Sequence, residues 1–565
     1  MSGSRRIARR FLQVGDRRVH YLRAGDGPPS VLIHSSPANA RLLMKEIEYL
    51  SRDHTVFAFD TPGFGLSDPL PLATMTVADL ADAMAQTLEA IAMPRCPVFG
   101  THTGAAIALE LGVRHPERVS GLVLDGVPAF TDAECDAYFG DYFRTLPLSD
   151  LGGHYADSWT RFRDQSTWFP WCERVPAHLN PHDLSPPHST HLWVSMYFEA
   201  AEHYVPAYRA ASFYGAGAVA AVGALTVPAV FTATETDMLH AHLDRFPPLR
   251  DGQTIVPIGN LQERKRALTA QAFVRFGADG PAPMHGDALV PAPTIARQFV
   301  AGGAGQLHLR YAGDRSAPAL LLLHDAPGSA EQAEPLIAAL AARFFVVAPD
   351  LPGHGESEPW DEPPTLARLA DAAGRLLDTL GIASASVYGI GFGSSVALAL
   401  AGRQPGRVAM TVLQGIALPD AAERAELRAH YAPPIAIEAD GAHWYRTWLM
   451  LRDSQIYWPW YDRRLERLRR VDADFSARPL HRWTMDVMRT RASYAHLIHA
   501  ALDEDAVEAL RGVTTPIALI RDRDKPLSIY DDRAQALRPD AVAMSADDGD
   551  IPARLAASTA IRPFR

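Results

Sequence analysis

Cysteine is nearly absent: three residues in 565, Cys96, Cys135 and Cys172, none in the second half and none at metal-ligand spacing. This excludes a disulfide framework and a cysteine-based zinc site, and it fits a reducing compartment. No apolar run is long enough to span a bilayer. The basic N-terminus (Arg5, Arg6, Arg9, Arg10) is not followed by the apolar stretch of an export signal, so a cytoplasmic location with no membrane partner is expected. Positive charge is not in excess. With 54 Lys+Arg against 65 Asp+Glu, the net charge of −11 argues against a nucleic-acid partner. Gly389-Ile-Gly391 resembles the start of a dinucleotide fingerprint, but a strand-to-helix turn explains its glycines better, and no cofactor is expected. His240 and His242, at i, i+2, share no helical face, so no metal is expected either.

What the chain does have is length, apolar content and repetition. Hydrophobic residues make up 47% and charged residues 21%, enough for a sizeable core in each of two domains. Phe11–Ala40 and Phe299–Ala330 share one pattern of two alternating strands, a turn, an apolar strand, and His with Pro close behind. Asp60-Thr-Pro-Gly63-Phe-Gly65-Leu-Ser67 answers to Asp350-Leu-Pro-Gly353-His-Gly355-Glu-Ser357. Gly100-Thr-His102-Thr-Gly104 answers to Gly389-Ile-Gly391-Phe-Gly393, and His154…Trp171 to His443…Trp460. Repetition over such a length means two similar structural units.

Within each unit, short apolar strands alternate with helix-period segments, which predicts an α/β fold of two tandem units, each a mostly parallel sheet with helices on both faces. Unit 1 is expected over residues 1–276 and unit 2 over 296–565, joined by the Pro- and Gly-rich linker 277–295. Segments 129–222 and 418–510 are rich in Trp, Tyr, His and Arg and interrupt the alternation after the fourth parallel strand. They read as helical caps over the carboxyl ends of the strands, where open α/β sheets bind ligands. The two units are expected to pack as an internal pseudo-dimer, with association of whole chains also possible.

These ordered motifs resemble the capped α/β-hydrolase superfamily, which includes haloalkane dehalogenases, epoxide hydrolases and many esterases, and the resemblance covers both halves. It implies a tight strand-to-helix elbow presenting a nucleophile, an oxyanion hole of two backbone N–H groups, an acid after a late strand and a histidine after the last. Carried onto this chain, the elbow position falls on His102 in unit 1 and Gly391 in unit 2. The oxyanion donors fall on Ser36 and Thr103, and on Ala326 and Phe392, with Ser35 and Asp325 standing where the family has glycine. The acids are Asp237 and Asp524, with Asp125 in reserve. The histidine position holds Asn260 in unit 1 and Asp548 in unit 2, so neither unit has the family's triad.

For unit 1 the residues that depart from the family pattern point to a non-serine hydrolase or lyase acting on a small apolar or aromatic substrate. His102 would be the general base, oriented by Asp237 and Asn260, with Ser36 and Thr103 supplying the oxyanion donors. Direct attack by His102 is disfavoured, because no second base remains to release the adduct. The competing reading is a small-molecule-binding or scaffold protein that has lost its chemistry, and this is preferred for unit 2. In the caps, His154, Arg163, Trp168 and Trp171, with His443 and Arg452, are candidates for substrate contact, an arginine there being suited to clamp a carboxylate. The tryptophans are read first as filling the seam between cap and sheet, whereas for His154 and Arg163 packing and ligand binding stand level. His34 is a further binding candidate or orients the oxyanion turn, and Asp60 and Asp350 brace the Pro-Gly turns.

Overall fold

The computed structural model describes residues 6–145, 147–200, 202–284, 286, 289, 294–546 and 551–560. Asp548 lies outside them. The chain divides into two compact units, one of residues 1–147 and 156–286, the other of residues 148–155 and 287–565. The short segment Leu148–Tyr155 therefore groups with the second unit, although its sequence belongs to the first repeat.

Unit 1 is built on eight strands: β1 (Ala8–Val14), β2 (Arg17–Ala24), β3 (Pro29–Ile33), β4 (Thr55–Phe59), β5 (Cys96–Thr101), β6 (Val119–Asp125), β7 (Ala229–Thr232) and β8 (Gln253–Ile255). They form one sheet in the order β1-β2-β4-β3-β5-β6-β7-β8. The β1–β2 and β2–β4 pairs are antiparallel and the rest parallel.

Unit 2 repeats the plan with β9 (Ala296–Ala301), β10 (Gln306–Ala312), β11 (Ala319–Leu323), β12 (Phe345–Pro349), β13 (Ala385–Ile390), β14 (Val408–Gln414), β15 (Ile517–Arg521) and β16 (Val542–Ser545). The order is the same, β9-β10-β12-β11-β13-β14-β15-β16. The expected architecture is thus present twice.

The reason is visible in the strands. In β11, Leu320 and Leu322 enter one core layer while Leu321 and Leu323 enter the other. A strand buried on both faces must be apolar throughout, which is why the central parallel strands read as continuous hydrophobic runs. Helices cover both faces. The helix Val77–Ala90 opens with a capping box between Thr76 and Asp79, and Leu366–Thr379 is capped by Thr365 and buries Leu369, Ala370, Leu376 and Leu377. Each satisfied cap stabilises its helix by about 1 kcal/mol.

Between β6 and β7 the described residues form the α-helices Asp132–Tyr138, Gly153–Thr167, Pro187–Ala200, Tyr204–Ser212 and Gly215–Ala224. Between β14 and β15 stand Ala421–His430, Ala442–Ser454, Ala477–Arg489, His496–Leu502 and Ala506–Gly512. No helix among the described residues is long and apolar enough to cross a membrane.

Candidate active site

The unit 1 site grows from the turn between β5 and the helix Thr103–Arg114. His102 sits in that turn with φ +50° and ψ −112°, one of two non-glycine residues with positive φ among those described. An L side chain in this region carries backbone strain that the surroundings must hold. They do so closely. A Cβ added to Gly100 would stand 2.2 Å from the Gly104 carbonyl oxygen, and one on Gly104 would stand 2.2 Å from that of Ile33, so the turn can be this tight only with glycine at both places. The His102 amide donates to the Asp125 carbonyl at 2.8 Å. Its ring lies over Gly126, where an added Cβ would come within 2.8 Å of the imidazole.

Asp237, in the loop after β7, meets that ring: Nε2 of His102 and Oδ2 of Asp237 are 2.7 Å apart. The other carboxylate oxygen accepts the Leu239 N–H at 2.9 Å. Burial favours the neutral acid, but the charge and hydrogen bond of His102 and the Leu239 N–H bring the Asp237 pKa down to about 2. Burial likewise works against charge on His102, yet the Asp237 charge and hydrogen bond, with Asp125 behind them, outweigh it and raise the imidazole above its ordinary 6.5. An ionised carboxylate can only accept, so the proton between the two belongs to Nε2. In the neutral imidazole the lone pair is then on Nδ1. The His102 side chain is 42% accessible.

Around the pair is a cavity of about 280 Å³ lined by Ser35, Ser36, Thr101, Asp125, Gln165, Trp193, Tyr208 and Lys265, among others. It is more polar than the expected apolar or aromatic substrate would need. Aromatic side chains line a smaller pocket of about 40 Å³ that shares His102 and Tyr208 with it and adds Phe130, Phe139 and Phe169. Within the larger cavity Lys265 Nζ pairs with Asp125 Oδ2 at 2.9 Å, and Thr101 donates to the same oxygen at 3.0 Å. Gln165 Oε1 is buried with no hydrogen-bond partner among the described residues.

The oxyanion positions differ between the units. In unit 2 the N–H groups of Ala326 and Phe392 converge on Asp325 Oδ1, at 2.7 and 2.8 Å. A carboxylate oxygen therefore occupies the hole, and a Cβ on Gly391 would stand 2.0 Å from it. In unit 1 the matching residue is Ser35. Ser36 N–H makes only a long bond, 3.4 Å, to Thr103 Oγ1, and Thr103 opens its helix, where an N–H has no intrahelical acceptor.

Several expected contacts fall elsewhere. Asn260 does not join His102: it is exposed, and its side-chain oxygen accepts from Thr236 N and Oγ1 at 2.9 and 3.1 Å. His34 is buried beneath the oxyanion turn, Nδ1 donating to the Ser35 carbonyl and Nε2 accepting from Thr61 N, so both ring nitrogens serve the turn and neither serves a ligand.

None of the cap candidates lines the His102 cavity. Arg163 points to solvent on its helix. Trp168 is half-buried in a bridge to Leu179. Trp171 is buried, with Nε1 donating to the Tyr142 carbonyl. His154 lies in the segment that groups with unit 2, its ring bonded to Ser149 N and His481 Nδ1.

Arg163 and Trp168 give way to Gln165, Trp193 and Tyr208, and the inward arginine is Arg161, 2% exposed, with its guanidinium over the rings of Phe162, Trp171, Tyr197 and Tyr204. In unit 2 His443 is buried and accepts from Glu438 N, Arg452 stacks over Phe475 at 4.1 Å, and Asp524 lines a cavity above Gly391. Lys265 was not foreseen; the signal for it is scarcity, since only Lys45, Lys265 and Lys525 occur in the chain and the latter two line the two cavities.

The profile of the alpha/beta hydrolase fold matches residues 28–243 and 318–434, more than half of the chain and both units. The chain belongs to the α/β-hydrolase fold family. Among similar proteins, an uncharacterized hydrolase of Saccharomyces cerevisiae is 40% identical over 106 residues, 19% of this chain and 37% of that protein. The (E)-2-((N-methylformamido)methylene)succinate hydrolase of Acinetobacter baylyi is 31% identical over 123 residues, 22% of this chain and 46% of that one. The structure of an epoxide hydrolase from Vigna radiata covers 48% of this chain and 97% of its own, with 18% identity and a TM-score of 0.37. The chain spans about a third of the length of the first curated relatives it matches.

Proposed function

We propose that unit 1 is a hydrolase in which His102 activates water against a small, mostly polar ester or lactone, without a covalent acyl-enzyme. The observation that carries this reading is the 2.7 Å bond from His102 Nε2 to Asp237, which leaves Nδ1 as the proton acceptor. Water gives its proton to Nδ1 as its oxygen adds to the substrate carbonyl. The charge on the carbonyl oxygen is taken by the Ser36 and Thr103 N–H groups. The proton on His102 then passes to the departing alkoxide, which restores the neutral base. Gln165 Oε1 is available to a hydroxyl or N–H of the substrate. The curated relatives named as hydrolases support hydrolysis over other chemistries of the fold.

The test is a screen of esters, lactones, epoxides and β-dicarbonyl compounds on wild type, His102→Ala and Asp237→Asn. Hydrolysis lost in both variants supports the proposal. Proton abstraction or carbon–carbon cleavage lost in both would keep the base and change the reaction to a lyase's, while activity indifferent to His102 would remove the proposal. For unit 2 a second reading, ligand binding without turnover, is favoured by Asp325, which fills the donors that an oxyanion would need.

A further inference from the structure

Unit 2 has a cavity of about 640 Å³ above Gly391, within the range of small-molecule sites and more than twice the size of the one at His102. Its floor is Asp325. Oδ1 is held by the Ala326 and Phe392 N–H groups, while Oδ2 has neither hydrogen bond nor ion pair among the described residues. Burial raises this carboxyl to about 6, the two N–H groups and, more weakly, Lys525 acting in the other direction, so it is charged at neutral pH. Asp325 is half-buried, and its free oxygen opens to the cavity, where a donor on a ligand can reach it. Two substitutions relative to the first repeat make the arrangement together: glycine in place of His102 clears the volume, and aspartate in place of Ser35 fills it. Its lining has an apolar and aromatic part, with Phe392, Tyr431, Leu480, Trp483 and Leu527, and a charged part of both signs that includes Arg478, Arg482, Lys525 and Asp524.

We infer that this cavity binds a small molecule carrying a protonated amine on an apolar or aryl body, its nitrogen donating to Asp325 Oδ2 and its body lying among Tyr431, Trp483 and Leu480. A cation is the partner that a carboxylate rewards most, and aromatic faces reinforce it. A carboxylate or phosphate placed at Asp325 Oδ2 would meet like charge, while the lining cations Arg478, Arg482 and Lys525 make tighter binding of the acids the opposing outcome of the test. The two N–H groups that would otherwise stabilise an oxyanion are occupied, so the bound molecule is held and not hydrolysed.

The experiment is isothermal titration of the full chain with benzylamine and tryptamine, each beside its alcohol (benzyl alcohol, tryptophol) and its acid (benzoate, indole-3-acetate). At least one amine is expected to bind about tenfold more tightly than its alcohol, the difference between a charge-assisted and a neutral hydrogen bond. Asp325→Asn can still accept both N–H groups, so the turn is kept, and the preference for the amine should disappear. Should that variant fail to fold, Gly391→Ala displaces the carboxylate from its place and should remove the preference in the same way. Amines binding no more tightly than the alcohols, or a preference that survives displacement or neutralisation of Asp325, would overturn the assignment.

Discussion

Gly391 and Asp325 share one volume: the carboxylate of Asp325 stands where a side chain at 391 would begin, 2.0 Å from the place of its Cβ. The elbow glycine of unit 2 is thus demanded by a neighbour and favoured by its own φ of +54°, a conformation that His102 holds with strain in unit 1.

Gly391→Ala should therefore destabilise the protein by roughly 1–3 kcal/mol, from overpacking and from a positive φ. Removing the obstacle in Gly391→Ala with Asp325→Gly should recover part of that loss. Urea denaturation of the four proteins of the cycle measures the coupling, and strict additivity would show that the two residues do not compete.

His102→Ala should lower kcat by about 10²–10⁴, the contribution of a positioned base. Asp237→Asn should lower it in the same direction with little change in KM, since the amide can hold the ring but cannot stabilise the imidazolium. Steady-state kinetics on whichever substrate the screen yields checks both, and a loss confined to KM would recast the pair as a binding feature.

The titration of His102 makes activity and stability run in opposite directions with pH. Because the base must be neutral and its pKa is raised, kcat/KM should climb through an apparent pKa above 6.5. The same raised pKa means that the His102–Asp237 pair stabilises the fold fully below pH 6.5, and that this contribution is lost as pH rises through the raised value. At the acid end, Asp237, depressed from 3.8 to about 2, contributes stability above its ordinary value that is lost as pH falls toward 2. A pH profile of rate beside one of chemical denaturation tests both signs, and an activity limb at or below 6.5 would contradict the assignment.

Lys265→Met should cost about 3–5 kcal/mol, because it leaves Asp125, 3% exposed, as an unpaired buried carboxylate. Lys265→Met with Asp125→Asn should cost less than the single change. Denaturant midpoints for the three proteins decide this.

The fold was legible because buried parallel strands have little choice of composition: Thr55–Phe59 and Ala229–Thr232 are buried at every position, and such short apolar runs are what the alternation with helical segments rests on. The His102–Asp237 contact was legible for a related reason, since the elbow after β5 and the loop after β7 both open at the same edge of the sheet. Loops and caps obey weaker rules. Asn260 follows the three-residue β8, and its side chain turns to Thr236. On the helix Gly153–Thr167, two arginines two residues apart face opposite ways, and composition does not say that Arg161 goes in and Arg163 out. Lys265 was hidden in Gln-Glu-Arg-Lys-Arg, a stretch that reads as a solvated face.

The carboxylate of Asp325 also serves the study of the other unit. It is a negatively charged oxygen parked between two backbone donors at 2.7 and 2.8 Å, which is how a reacting carbonyl oxygen would be gripped at the height of the barrier. On the proposed chemistry the chain carries its own template for the unseen state: Ser35 stands at the sequence position of Asp325, so an inhibitor for unit 1 can be drawn with an anionic oxygen where unit 2 has that carboxylate.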